Sequence, residues 1–169
     1  MTAEPTAEPT AELAAFREQL VALLPRLRRV ARGFARVPAD ADDLVQLALE
    51  RALQRWRQWQ PGTRLDSWLF GIMRNAWIDE LRTRRRRGEV LLDEEAGVEA
   101  TVGGAAQQLE ALAIEAALHE LPEEQRLAVL LVLVEGLSYK EAAQALGVPI
   151  GTLTSRLARG REALATALA

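Results

Sequence analysis

The side chains best equipped for chemistry in this 169-residue chain are its arginines. Twenty of the 21 basic residues are Arg, and Lys140 is the exception. A guanidinium presents five donors in a planar fork, which matches a phosphate or a guanine edge through two parallel hydrogen bonds. Two stretches set arginines beside other groups that can read a nucleotide. Trp56, Trp59, Trp68 and Trp77 lie close together, and Asn75, Asp79, Arg82 and Arg86 follow at steps of four, three and four. Unpaired bases stack on aromatic faces for about 1–3 kcal/mol each, and an Asn amide can match a base edge. Nearer the C-terminus, Thr152, Ser155, Arg159 and Glu162 share one side of a helical period, with Arg156 at its flank. Short hydroxyls and arginines reach base edges and phosphates in a duplex groove. Plainer accounts compete. Trp68 aligns with Leu65 and Ile72 and suits a core, Arg84 to Arg87 suit a solvated helix end, and GC-rich coding also favours Arg.

Counting excludes other chemistry. With no Cys, disulfides, thiolate zinc sites and Cys nucleophiles are absent. His119 is the single His, so a multi-histidine metal site is excluded. There is no Walker A loop, and the acid pairs Asp42/Asp43 and Glu123/Glu124 stand at helix starts, where the dipole favours them. We expect no metal, no cofactor and no enzyme. The longest apolar run, Leu127 to Val134, is eight residues, against about 20 for a membrane span. The N-terminus has no apolar signal core. The expectation is a cytoplasmic protein without stable membrane insertion.

The formal charge of −3 hides a division. Residues 11–87 carry +7, residues 88–120 carry −8, and residues 121–169 are neutral. A locally basic body is what a polyanion-binding module requires.

The elements that must hold these residues read as helices throughout. Residues 1–12 repeat Thr-Ala-Glu-Pro and form an expected disordered tail. Phe16, Leu20, Leu23, Leu27, Val30 and Phe34 predict a helix from Leu13 to about Val37, kinked or divided at Pro25. Asp40 is the expected N-cap of a second helix carrying Leu44, Leu47, Ala48, Arg51 and Ala52. Pro61-Gly62 ends it, and Thr63 to Asp66 resembles a capping box opening a third helix. Residues 88–107 are expected to be a flexible acidic linker. Leu121-Pro122 restarts a helix that is apolar nearly all round through Val134, the expected core of the second module. Ser138 to Glu141 is a second capping box, Gly147-Val148-Pro149 a turn, and a last helix runs from about Gly151 to Ala167 with Leu153, Leu157, Gly160 and Leu164 inward. A short helix, a Gly turn and a longer helix form a helix-turn-helix signature. The fold class is all-α: two small helical domains, 13–87 and 108–169, the second containing the helix-turn-helix.

Together these residues resemble a bacterial RNA polymerase sigma factor of the compact extracytoplasmic-function (ECF) group. The resemblance is carried by DADDLVQLALERAL (40–53), PGTRLDSWLFGIMRNAWIDELRTRRRR (61–87) and LPEEQRLAVLLVLVEGLSYKEAAQALGVPIGTLTSRLARGREAL (121–164). It implies that 13–87 is a region 2-like domain binding the polymerase β′ clamp and the promoter −10 element. Within it, Arg51, Trp59, Arg74, Asn75, Asp79 and Arg82 are the implied −10 residues, with Asn75 capturing a flipped base. Asp43, Leu44, Gln46 and Glu50 fall on the helix implied against the clamp. The second domain is implied to bind −35 duplex through Thr152, Thr154, Ser155, Arg156 and Arg159, and the β flap through its apolar surface. The resemblance also implies an anti-sigma factor as a partner. Two departures stand out: Leu47 replaces a usual acid, and Thr154 stands where a basic residue is frequent. Trp77 is left between core and strand separation. The alternative is a sigma mimic that titrates an anti-sigma factor.

About 18 linker residues reach at most about 60–65 Å extended and average roughly 25 Å as a coil. Elements about 17 base pairs apart lie roughly 58 Å apart on B-DNA. The tether can reach but cannot measure, so the isolated chain is expected to bind promoters weakly. A second expectation is that Asp93, Glu94, Glu95 and Glu99 fold back on the basic module.

Overall fold

The computed structural model describes residues 8–89 and 104–169, so the four linker acids and their fold-back lie outside the described residues. Every regular element there is helical. In chain order they are α1 (Glu8–Phe34), α2 (Pro38–Gln54), a 3₁₀ turn (Trp56–Gln58), α3 (Leu65–Arg86), α4 (Ala105–Glu120), α5 (Glu123–Val129) with its π-helical continuation (Leu130–Val134), α6 (Tyr139–Leu146) and α7 (Ile150–Ala167). The all-α class holds.

Helices α1, α2 and α3 form the first module. α1 begins at Glu8, inside the stretch expected to be a disordered tail, and of the two expectations at Pro25 the division does not occur. Leu20 and Leu27 are buried on either side of the proline, so tertiary packing outweighs the lost backbone bond. α2 begins at Pro38, not after Asp40. Proline's fixed φ suits the first helical position, and Asp40 inside the first turn pairs instead with Arg84 at 2.7 Å. The capping box expected at Thr63 is also absent. The Thr63 hydroxyl donates to the Gln60 carbonyl, and Asp66 accepts from the Ser67 N–H and from Arg64.

Helices α4 to α7 form the second module. The expected box at Ser138 is present: Ser138 Oγ accepts from the Glu141 N–H, and Glu141 Oε2 accepts from the Ser138 N–H. Gly147 sits at φ +63°, where L side chains are strained, and turns α6 into α7. The run Leu127–Val134 is only partly core. Leu127 to Leu131 are buried, but Leu133 and Val134 are about half exposed. The π-helical turn shifts the last residues off the helical period.

The two modules do not stand apart. One hydrophobic cluster runs from Phe16 and Leu27 in α1, through Phe70 and Met73 in α3, to Leu131, Ala145 and Leu157 in the second module. α1 packs on α5 and α3 packs on α6. Glycine permits the closest approach. A Cβ on Gly33 would lie 2.4 Å from Leu130 Cδ1.

Candidate nucleic-acid interface

α7 presents the clearest face. Leu153, Leu157 and Gly160 are buried. A Cβ on Gly160 would meet Val129 at 2.7 Å and the Gln125 carbonyl at 3.2 Å, so α7 can lie this close to α5 only with glycine there. The opposite side is open: Thr154, Ser155 and Arg159 are exposed and Thr152 is half-buried. The Thr154 and Ser155 hydroxyls donate to the carbonyls of Ile150 and Gly151, which leaves their oxygen lone pairs outward as acceptors. Arg156 is held at the flank by Glu124 at 3.3 Å.

In the first module Arg51 and Asp79 pair at 3.0 Å. Asn75 is exposed one turn before Asp79, and its Oδ1 accepts from Arg74. Arg82 is exposed on the following turn. These side chains share one side of α3 with its neighbour α2. Trp59 does not join them as an open platform. Its ring lies 5.9 Å from Phe16 in a cluster with Trp56 and Trp68, and its indole N–H is buried. The chain after the 3₁₀ turn folds the indole onto α1, because burying a large ring outweighs leaving it in water. Trp77 is 7% exposed and belongs to the core, with the Arg84 guanidinium 5.7 Å from its ring centre.

On α2, Asp43, Gln46 and Glu50 are exposed along one side. Leu44 is a correction: it is 3% exposed and packs into the first module, so it cannot meet a partner directly.

Sequence reasoning missed a charged cluster between the modules. Glu135, with a side chain 0% exposed, receives Arg26 Nε at 2.6 Å and Arg29 Nε at 2.6 Å. Its signal was present: an acid closing a long apolar run, facing arginines three apart. Asp66 holds Arg26 and Arg64, each at 2.7 Å. Burial pushes the Asp66 carboxyl up, but bonds from Arg64, the Ser67 N–H and Arg26 outweigh it, leaving it below the usual carboxylate range. Arg126 was missed as well. It is 2% exposed and donates to the carbonyls of Gly33 and Leu121 at 2.8 and 2.9 Å.

Comparison with known proteins agrees with this arrangement. Sigma-70 region 2 matches residues 20–87, and Sigma-70 region 4 matches residues 111–164. The chain is 39% identical over 152 residues to the ECF RNA polymerase sigma factor EcfG of Rhodopseudomonas palustris, covering 90% of this chain and 84% of that protein. The chain belongs to the ECF family of RNA polymerase sigma factors. It is also 37% identical over 143 residues to SigM of Mycobacterium tuberculosis, covering 85% of this sigma factor and 71% of the relative. Among solved structures, RpoE of Bartonella quintana, in complex with the anti-sigma factor NepR, matches with a TM-score of 0.79 and 33% identity, covering 91% and 96% of the two chains. A score that high over both modules requires that they be arranged alike.

Proposed function

We propose that this sigma factor directs promoter-specific initiation by dividing DNA reading between its two modules, 13–87 and 108–169. Sigma factors bind core RNA polymerase and promoter DNA, and the order of regions 2 and 4 in one chain supports that role here. The outward face of α7 carries the reading furthest. Ser155 and Arg159, with Thr152, Thr154 and Arg156 beside them, supply the groups that read −35 duplex. Asn75 captures a −10 base, with Arg51, Arg74, Asp79 and Arg82 around it. Trp59 acts as the wall behind that site through its packing on Phe16. Asp43, Gln46 and Glu50 face the β′ clamp, and the apolar surface of the second module faces the β flap. The chain needs no covalent chemistry of its own for this work and acts in the cytoplasm. None of its described helices is long and apolar enough to cross a membrane.

An anti-sigma factor is the regulatory partner we assign. A cleft of about 610 Å³ between α1, α4 and the π-helical turn has Ile114, Leu118, Leu130 and Val134 in its wall and Arg28 and Arg32 at its rim, which suits an acidic amphipathic helix.

Run-off transcription with core polymerase and a genomic promoter library tests the role. Asn75→Ala is expected to weaken open-complex formation more than closed-complex binding. Equal loss at both stages counts against base capture, and binding to an anti-sigma factor without any transcription favours the sigma mimic.

A further inference from the structure

α3 ends in a run of arginines that do not all face the same way. Helical geometry sets Arg82 and Arg86 on one side with Asn75 and Asp79, and Arg84 nearly opposite. Arg82, Arg85, Arg86 and Arg87 are exposed, whereas the Arg84 side chain is 20% exposed. Its donors are committed. Nη1 and Nη2 donate to the two carboxylate oxygens of Asp40 at 2.9 and 2.7 Å, and Nε donates to Glu80 Oε1 at 2.8 Å. The guanidinium also lies 5.7 Å from the centre of the Trp77 ring. The bonds to Asp40, then Glu80, hold the guanidinium proton more tightly than usual, against the opposing effect of burial.

This bond joins two helix ends. Asp40 lies in the first turn of α2 and Arg84 in the last turn of α3, so each charge also suits the dipole of its own helix. The end of α3 needs such a tie. Helix ends fray, and Arg82 repels Arg85 and Arg86 at steps of three and four. A forked, charge-assisted bond to a second helix opposes both effects. The partners are 44 positions apart in the chain and meet beside a cavity of about 80 Å³ that Asp43 and Trp77 also line.

An arginine whose fork and Nε are all engaged has to break those bonds before it can grip a phosphate. We propose that Arg84 is a positioning residue: Asp40 and Glu80 hold it so that the last turns of α3 stay wound against α2, and Arg82 and Arg86 on the far side meet the DNA backbone as a pair. Arg84 itself makes no DNA contact. The DNA part rests on the promoter reading above; the tie between the helices does not. Arg82 and Arg86 lie one turn apart, about 6 Å along the helix axis, and keep that spacing only while the turn is wound. The same tie places them relative to Asp43, which stands one turn along α2 from Asp40 and is assigned above to the β′ clamp.

The test uses the full chain and separates the two claims. In the free protein, hydrogen exchange at the amides of residues 82–86 should quicken at least ten-fold in Arg84→Gln and in Asp40→Asn, with the rest of α3 unchanged. Unchanged exchange in both variants overturns the tie. With core polymerase, promoter affinity is followed against salt concentration, because each lost phosphate contact lowers the log–log slope by about one. Arg82→Gln should lower it by about one. Arg84→Gln should lower it by about two, because two contacts are lost with one charge. Asp40→Asn should do the same although it makes the module more positive, and the double variant should lose no more than either alone. A fall of about one in Arg84→Gln, with Asp40→Asn binding as tightly as the wild type or tighter, makes Arg84 a DNA contact and overturns the proposal. Faster exchange with an unchanged slope in both variants leaves a tie that positions nothing, and overturns it too. A wild type that never initiates with polymerase removes the promoter reading, and exchange still judges the tie.

Discussion

Replacing Arg126 with Met should uncouple the unfolding of the two modules. The substitution keeps the length of the stem and removes the guanidinium. Arg126 is 2% exposed and bonds the carbonyls of Gly33 and Leu121. Hydrogen bonds from a charged donor are worth about 1.5–3 kcal/mol each, so two give a gross loss of about 3–6 kcal/mol. Relief from burying a charge returns part of this. The two carbonyls stay buried without their donor, at about 1–3 kcal/mol apiece, which sets the sign. A net loss of about 2–4 kcal/mol follows, or roughly 5–15 °C in Tm for a chain of this length. The probes are built in. Trp56, Trp59, Trp68 and Trp77 all lie in the first module, so tryptophan fluorescence follows that module while far-UV circular dichroism follows both. In urea the wild-type transitions should coincide, as for a single cooperative unit. In Arg126→Met the circular dichroism transition should move to lower urea and separate from the fluorescence. A loss below about 0.5 kcal/mol with coincident transitions would refute the argument, because the buried guanidinium would then hold nothing together.

Three further outcomes are expected. Ser138→Ala removes a complete capping box and should cost about 1 kcal/mol in urea denaturation, with Asn at the same position recovering most of it. Gly147→Ala should cost about 1 kcal/mol or more, because φ +63° is strained for alanine and the new methyl group displaces Arg74. The single imidazole, His119, is a natural titration probe. Burial, then Arg126, Arg36 and Arg32, hold its pKa below the usual value against the pull of Glu115. Because the folded form binds the proton less readily, the contribution of neutral His119 is present above pH about 6.5 and is lost as pH falls through the lowered folded pKa. Proton NMR of the wild type should show this lowered value. An imidazole that titrates at or above the usual value refutes the burial argument.

The local grammar of the chain was legible. Apolar residues at steps of three and four fixed the helices because a buried stripe must follow the helical period. The inward Leu153, Leu157 and Gly160 and the outward Ser155 and Arg159 could be read directly, since one angle separates the two faces. Ser138 with Glu141 capped α6 as its spacing demands, a contact made entirely within four residues. Readings that needed a distant partner went astray. Asp40 had the right type for an N-cap but found Arg84 at 44 positions' remove. Leu44 lay on a plausible binding helix but faced the core. Trp59 keeps its place in the proposed −10 site, but as a ring packed on Phe16 and not as an open face.

By itself, then, the sequence determined that the chain is helical, which face of α7 carries polar groups, and that two such bodies follow one another, but not that α1 starts at Glu8, that α2 stops at Gln54 or that α4 starts at Ala105. Helical periodicity, caps and turns act over a few residues, so their evidence lies in neighbouring letters. Only the tertiary structure decided that those bodies are joined. Glu135 lies 109 positions from Arg26, and Arg126 lies 93 from Gly33. No periodicity links such residues, and the energy of a buried charge depends on what surrounds it in space.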